Sequence, residues 1–383
     1  MSSPSIIIHG AGIAGLVLAQ SLLRRGISFH LYESASRDVF DKRHDYGIDL
    51  LPLAFRKLGD LMKIERSAFV KRVAVNWECE GDGCLEALDS SHLLRVNRNK
   101  LEQLLAQDLP DSVLRFNSEN GETTDTPTIG DEIVVAADGV HSSVRKRLLP
   151  HSIPAIQPFT VFRGSKRVDS NSFDQDFAPY FKSQTRLERQ LGNELLRIDL
   201  TGSLRQSKYM GITYTYSRPV RDENDPLFKP DRATWDATQL GMKFKGVVEE
   251  IRSHTKLDGA FEKIFNVERI DRDGDRLLHW LMRSILVDKA ELKKVAREQK
   301  VLFIGDAAHH QPILASRGAN LAVEDALDLA EFLDSGKMTH RLDELTLEDY
   351  YDPRFDVWTQ DRREAQSRIE QLHGGAASSG GSL

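Results

Sequence analysis

Apolar residues along this chain come in three textures. The first is a set of short, continuous β-branched or aliphatic runs: Ile6-Ile-Ile8, Ile133-Val-Val-Ala-Ala137 and Val301-Leu-Phe-Ile304. Runs of this length, apolar on both faces, predict buried strands of a parallel sheet. Ser28 to Glu33 reads as a further strand beside the first, and Val73 to Trp77 as another. The second texture is helical spacing. Leu16, Ala19, Leu22 and Leu23 share one face of a helix closed by Gly26. Leu53–Leu61 has the same period, and Leu93–Leu105 reads as a short strand entering an amphipathic helix, with Asn97 as candidate N-cap. Arg317–Leu333 predicts a long helix with small residues on one face, and Thr346–Leu372 a charged one.

The third texture begins at Pro150. Residues 158–166, 176–182, 194–201 and 208–217 alternate polar with apolar and carry many aromatics, which suits a mostly antiparallel sheet. Residues 234–239 and 242–251 predict a helix beneath it, after a Pro/Asp/Asn-rich loop at 217–232. Polar stretches at 79–90 and 117–130 read as loops, and 374–383 as a disordered Gly/Ser/Ala tail. The expected class is therefore α/β with an inserted α+β domain. A Rossmann-like domain occupies 1–150 and 284–345, a mixed-sheet substrate domain 151–283, and a C-terminal helix 346–373. A ligand is expected where the carboxyl ends of the parallel strands meet the inserted sheet.

Composition narrows this only slightly. The 383 residues suffice for two domains and a large core. A net charge of −6 gives no support to nucleic-acid binding or to a polybasic membrane surface. Cys79 and Cys84 form neither a disulfide framework nor a zinc pattern, so no metal is expected. With no signal-peptide pattern and no long apolar run, a cytoplasmic protein without a membrane span is expected.

The chemistry starts where the first strand ends. Gly10-Ala-Gly12-Ile-Ala14-Gly15 is a G-x-G-x-x-G turn between a predicted strand and a predicted helix, and Glu33 follows 18 residues after Gly15. The bare motif arises by chance about once in 3,000 positions. The strand–turn–helix context and the later acid are what make it specific. Gly10 permits the tight turn, Gly12 lets backbone approach a pyrophosphate, and Gly15 lets helix and strand pack closely. The helix start supplies N–H groups and a positive dipole end for phosphate. Glu33 is placed to accept from ribose hydroxyls. Two other apolar runs end in acids, at Asp138-Gly139 and Gly305-Asp306.

That order of signals resembles the group A FAD-dependent monooxygenases, the aromatic hydroxylases of 4-hydroxybenzoate hydroxylase type, and especially their compact fungal and tetracycline-modifying members. The resemblance spans nearly the whole chain. It is most specific in Ala137-Asp-Gly139 and in Gly305-Asp-Ala-Ala-His309 through Gly318-Ala-Asn320. It implies that Gly10, Gly12, Ala14 and Gly15 cradle the FAD pyrophosphate and that Glu33 meets the adenosine ribose. Arg98 would reach the flavin side of the FAD chain. Asp138 and Gly139 would support FAD and the use of NAD(P)H, and Asp306 the ribityl chain. Pro312, Gly318, Ala319 and Asn320 would border the ring, with Arg43 and residues 46–49 lining it. The implied reaction takes NAD(P)H and O2 and forms a C4a-hydroperoxyflavin that oxygenates an aromatic or polycyclic small molecule of secondary metabolism. A helix start at Gly318–Asn320 suits the negative charge a reduced flavin develops. A monomer or homodimer is expected.

Departures are visible. His310 stands where the family usually has proline after the histidine, and Ser316 replaces the first glycine of a Gly-x-Gly. The stretch between Arg98 and Asp138 is short, and none of Trp77, Trp235, Trp280 and Trp358 fits the halogenase motif. His310, Arg163 and Tyr214 are the candidate catalytic groups, and Arg197, Tyr209 and Tyr216 are further pocket candidates. For each the competing reading is core packing or a solvated face. His309 reads as a structural support of its turn. Arg145, Lys146 and Arg147 read as a solvated basic face or a docking site for NAD(P)H. Two other functions remain open: an FAD dehydrogenase or oxidase of the same fold, and a nucleotide-binding protein without catalysis.

Overall fold

The computed structural model describes residues 6–75, 93–118, 132–182, 184–202, 208–230, 237–254, 257–266, 275–338 and 346–374. Cys79, Cys84, most of the 117–130 loop and the tail from 375 lie outside them. The elements in the first part of the chain are β1 (Ile6–His9), α1 (Ile13–Arg25), β2 (Phe29–Tyr32), α2 (Arg37–Lys42), β3 (Gly47–Leu50), α3 (Pro52–Met62) and α4 (Arg66–Val73). Next come β4 (Leu94–Asn97), α5 (Arg98–Ala106), β5 (Leu114–Arg115), β6 (Ile133–Ala136) and α6 (Ser143–Leu148). The middle of the chain holds β7 (Ala155–Asp169), α7 (Ser170–Asp176), β8 (Arg186–Leu191), β9 (Glu194–Leu200), β10 (Tyr209–Pro219), α8 (Ala237–His254), α9 (Gly259–Ile264) and β11 (Arg276–Leu286). The last are α10 (Lys289–Gln299), β12 (Val301–Phe303), β13 (His309–His310), α11 (Gly318–Met338) and α12 (Tyr351–Leu372).

The chain divides into two compact units. The first comprises residues 1–73, 98–155 and 283–365. Its five-stranded sheet has the order β12-β6-β1-β2-β5, and every pairing in it is parallel. Ile6, Ile8, Leu31, Val135 and Leu302 are buried along it, as the continuous apolar runs predict. Parallel strands end on the same edge, so Gly10, Glu33, the Ala137–Gly139 turn and the Gly305 turn all leave that edge of the sheet. Helix α1 stops at Gly26, whose φ of 62° lets its N–H and that of Ile27 reach the carbonyls of Leu23 and Leu22.

The second unit comprises residues 74–97, 156–282 and 366–383. Its strands lie in the order β11-β7-β10-β9-β8, with β7–β10, β10–β9 and β9–β8 antiparallel. Alternation sorts the two faces. Met210, Ile212, Tyr214 and Tyr216 point with Leu196, Ile198 and Leu200 into a core shared with Phe244, Val247 and Ile251 of α8 and with Phe261 and Ile264 of α9. The intervening positions, Thr213, Thr215, Ser217, Arg197 and Asp199, are polar and also buried.

Two expected strands are replaced. Residues 176–182 end helix α7 and then form a 3-10 turn at Ala178–Tyr180. The side chain of Asp169 caps α7 by accepting from Ser172 N–H, and Phe173 of α7, with Phe177 and Phe181 on either side of the 3-10 turn, is buried in the core. Val73 ends helix α4 rather than starting a strand, and Ala74 makes only an isolated bridge to Val96. Strands β8 and β11 have no counterpart in the sequence reading, because their polar positions, Arg186, Glu188, Gln190, Arg276 and Arg283, interrupt the apolar pattern.

Candidate functional site

The glycine turn shows why each glycine stands where it does. Gly10 adopts a φ of 99°, and a Cβ there would lie 2.6 Å from the Ala137 carbonyl oxygen. A Cβ on Gly15 would lie 1.9 Å from the Gly10 carbonyl oxygen. These two positions are closed to any side chain. Gly12 differs: the nearest atom to its Cβ position is Nη2 of Arg98, 3.9 Å away. Gly12 is also the N-cap of α1, and no side chain among the described residues caps that helix. An uncapped helix start beside open space and a guanidinium is suited to an anion. Ala14 packs on the other side, 3.1 Å from the Cβ position of Gly305.

Glu33 braces this turn. Its Oε2 accepts from Ala11 N–H at 3.0 Å and lies 3.1 Å from Arg43 Nη1, while Oε1 accepts from Ala35 N–H at 2.9 Å. Arg43 donates from Nη2 to the Ala11 carbonyl at 2.7 Å, so the pair grips the turn by both backbone polar groups of Ala11. Behind them lies Glu102, a fully buried carboxylate that the motif reading did not single out. It receives Arg98 Nε at 2.8 Å and Arg43 Nε at 3.3 Å, with His44 Nδ1 at 3.0 Å. Burial alone would raise its pKa, but Arg98, His44 and Arg43 hold it at about 2. The signal available in sequence was the i,i+4 spacing of Arg98 and Glu102 on α5. Arg98 also donates from Nη1 to Tyr46 Oη at 2.7 Å, and Tyr46 and Glu102 hold it cationic against burial.

Asp138 caps α6: its Oδ2 accepts from Ser143 N–H at 2.8 Å and from Ser143 Oγ at 3.1 Å. Its Oδ1 is buried with no hydrogen-bond partner among the described residues. Gly139 turns the chain with a φ of 81°. Arg145, expected on a solvated face, is instead 1% exposed. It donates to the carbonyls of Ala307 at 2.7 Å, Asp306 at 3.4 Å and Val140, and so ties the Asp138 turn to the Asp306 turn. Desolvating an arginine is tolerable here because its donors meet carbonyl oxygens. Lys146 and Arg147 are exposed.

Asp306 follows β12. Its Oδ2 lies 2.9 Å from His310 Nδ1, and its Oδ1 is 3.5 Å from the Cβ position of Gly318, the first residue of α11. Burial opposes its ionisation, yet His310, His309 and Arg98 hold its carboxyl below the ordinary range. His310 thus faces a carboxylate, while its backbone pairs with Ile285 in β11. His309 faces the other way. Its Nε2 lies 2.6 Å from Asp325, and its ring stacks on Trp358 at 4.4 Å. Asp325 also accepts from Gly305 N–H, Arg354 and Trp358 Nε1, which fixes the turn to α11 and α12. Asn320 clasps the segment after β3: its Oδ1 accepts from Leu51 N–H at 2.7 Å, and its Nδ2 donates to the Asp49 carbonyl at 2.9 Å. Pro312 is buried before a 3-10 turn that ends at Ser316, whose φ of 61° is left-handed. Gly318 and Ala319 are half-buried. Gln311 is buried with neither amide atom hydrogen-bonded among the described residues.

The first unit therefore brings together Gly12 with Arg98, Glu33 with Arg43, and Asp306 with His310 and Gly318. The candidates of the second unit are placed otherwise. Tyr214 is a core residue, 0% exposed, its ring lying against Gly164 and its hydroxyl donating to Asp275 at 2.6 Å. That corrects its candidacy as a catalytic, pocket-lining group in favour of the competing reading of core packing: position 214 shares the apolar side of β10 with Ile212. Tyr216 is likewise buried and donates to Glu250 at 2.9 Å, whereas Tyr209 is exposed. Arg197 is buried against Glu188 at 2.6 Å. Arg163 lies on the polar side, donating to Thr213 Oγ1 at 3.3 Å with its guanidinium 4.7 Å from the Trp280 ring centre.

Similarity to other proteins bears on the same features. A family model described as an FAD binding domain matches residues 238–360. The chain is 27% identical to the FAD-dependent monooxygenase adaC of Aspergillus niger, over 97% of this chain and 94% of that protein. The chain is thus similar to FAD-dependent monooxygenases along nearly its whole length. Solved structures share its fold. CtdE in complex with FAD and a substrate superposes with a TM-score of 0.69 at 16% identity, covering 98% of this chain and 91% of that one. The 2,6-dihydroxypyridine-3-hydroxylase of Arthrobacter nicotinovorans gives 0.65 at 16%, covering 99% and 95%. The residues of the chain fit an FAD: the opening over Gly12, the guanidinium facing it, and the orphaned Asp138 Oδ1 are what a dinucleotide with ribose and polyol hydroxyls requires. Among the described residues no helix is long and apolar enough to cross a membrane.

Proposed function

We propose that the chain uses NAD(P)H and O2 to hydroxylate, or otherwise oxygenate, an aromatic or polycyclic organic molecule. The observation that carries this reading is the crowding of Gly12, Arg98, Asp138 and Asp306 at the edge where the parallel strands end, within a chain similar to FAD-dependent monooxygenases over nearly its full length. FAD, when bound, supplies the hydride acceptance and the oxygen activation that side chains lack.

The chain's own residues hold and tune it. The helix start at Gly12 and the cation of Arg98 take the pyrophosphate, with Gly10, Ala14 and Gly15 providing the close packing beneath. Glu33 and Arg43 keep the turn rigid, and Glu33 retains acceptor capacity for ribose. Asp138 and Gly139 offer a free carboxylate oxygen at the neighbouring turn, and Asp306 accepts from the polyol. Pro312 borders the ring, and the start of α11 at Gly318, Ala319 and Asn320 presents the positive end of a helix to the charge gained on reduction. The proline-flanked turn and Asn320's clasp on residues 49–51 fix that arrangement before reaction, so little reorganisation is required. In the second unit Arg163, held over Trp280, is the candidate for recognising a phenolate or carboxylate of the substrate.

The test is the visible spectrum of the purified protein, recorded anaerobically with NADPH or NADH and a panel of phenols, followed by product analysis after oxygen is admitted. A yellow protein whose bleaching is accelerated by a phenol, and which then yields an oxygenated product, is expected. Bleaching with peroxide alone would point to an oxidase, and a protein that fails to take up FAD would remove the proposal.

A further inference from the structure

The backbone around Asp306 is held from three directions. Gly305 N–H donates to Asp325 Oδ2 at 2.8 Å, the Asp306 carbonyl accepts from Arg145, and the carbonyl of Ala307 accepts from Arg145 at 2.7 Å. None of these contacts fixes the side chain of Asp306, which is 38% exposed. The group that meets it is His310. The imidazole is only 16% exposed, and its backbone is pinned by the antiparallel pair His310–Ile285. With Nδ1 at 2.9 Å from Oδ2, the imidazole stands against one carboxylate oxygen as an ion-pair neighbour, without the alignment of a hydrogen bond, and leaves Oδ1 turned toward the first residue of α11. The carboxylate thus has one oxygen packed against the imidazole and one presented. A proline, which the resemblance leads one to expect at 310, has no donor and cannot do this.

We infer that His310 is a positioning residue: it orients the Asp306 carboxylate so that Oδ1 accepts a hydroxyl of the FAD polyol chain, and it does not itself touch substrate. The inference rests on the FAD reading above and assigns this chain's departure from proline a part in cofactor retention. An unfixed carboxylate must lose rotamer freedom when the cofactor docks, whereas one already held does not. A charge-assisted contact of this kind is worth about a tenfold change in affinity.

The experiment is FAD titration of the apoprotein, read by quenching of flavin fluorescence, with a thermal melt of each apoprotein alongside. Wild type, His310→Ala, His310→Asn, Asp306→Ala and the Asp306→Ala/His310→Ala double variant are compared. His310→Ala is expected to weaken FAD binding about tenfold with an unchanged melt, and His310→Asn, whose amide nitrogen takes the place of Nδ1, to recover most of the loss. In the Asp306→Ala background the His310 change is expected to add nothing, because its effect runs through that carboxylate. Equal affinity of His310→Ala and wild type overturns the inference, as do additive losses in the double variant or a melt lowered in His310→Ala and His310→Asn alike. Failure of the wild-type apoprotein to bind FAD at all overturns the functional reading, and the inference falls with it.

Discussion

Asp325 and Asp199 are both buried carboxylates held by arginine, one in each unit, and they do different work. Asp325 gathers a backbone N–H from Gly305, the ring of His309, the guanidinium of Arg354 and the indole of Trp358. Its partners come from an irregular turn and a distant helix, so it dictates where that turn runs. Asp199 lies mid-strand in β9, between Arg95 at 2.8 Å and Arg186 at 2.7 Å. There the ladder to β8 and β10 already fixes the backbone, and Leu196, Ile198 and Leu200 fix the face. The carboxylate offsets neighbouring cations without setting the path of the chain, and the arginines Arg95, Arg186 and Arg197 hold its carboxyl well below the usual range against the effect of burial. Where backbone is irregular, a side-chain acceptor defines geometry; where it is regular, the same group only balances charge.

The sharpest way to break this contrast is Asp325→Ala. It leaves Arg354 without its buried carboxylate partner and the Gly305 turn unanchored, and a loss of about 4 kcal/mol in denaturant unfolding is expected, with FAD affinity falling as well. Acid probes the same residue. Burial opposes ionisation, but His309 and Arg354 hold Asp325 at about 2, below its ordinary carboxylate value. Its contribution is present above the unfolded pKa of about 4 and is lost as pH falls from there toward 2, so wild type is expected to lose about 2 kcal/mol across that window. An equally steep acid loss in Asp325→Asn would show that other carboxylates dominate. Asp199→Asn keeps an acceptor between its arginines and a regular ladder around it, and about 2 kcal/mol is expected in the same denaturant assay. A loss as large as that of Asp325→Ala would erase the distinction. Tyr214→Phe removes one hydroxyl from the core of the second unit. It should cost about 1 kcal/mol of stability and leave turnover within about twofold of wild type, whereas a collapse in kcat with a normal melt would restore the tyrosine to the chemistry. The smallest effect is assigned to Ser316→Gly, which relieves a left-handed serine and is expected to raise stability by about 1 kcal/mol in a thermal melt.

The two units also differ in how far sequence reveals them. The parallel sheet was legible because its apolar runs are continuous and because a turn with Gly10 and Gly15 tolerates nothing larger, as the Cβ positions show. Single residues at strand ends carry that information, and spacing alone exposes them. Tyr214 was not legible: an aromatic on an alternating strand declares that it alternates, not which face is covered by helices. Helix α7 was lost among aromatics that suit either period, with only Asp169 three residues before Ser172 to mark its start. Arg145 was hidden by Lys146 and Arg147, because a run of basic residues does not say which one turns inward. Glu102 was hidden in a different way. Its partners Arg43 and His44 lie about sixty positions earlier in the chain, a distance over which no local pattern operates.

The hydroxyl of Tyr351 accepts the N–H of Phe303, forty-eight residues upstream, and Trp358 and Arg354 close on the same neighbourhood. During synthesis at roughly 5–20 residues per second, the strand and turn that precede Asp306 therefore emerge several seconds before the helix that secures them. A nascent chain halted before residue 350 carries every glycine of the nucleotide fingerprint, and Asp325 and Arg145 to hold the Gly305 turn, yet lacks the Arg354 and Trp358 donors that fix Asp325 itself. The full bracing of the Gly305 turn is thereby tied to the docking of that late helix.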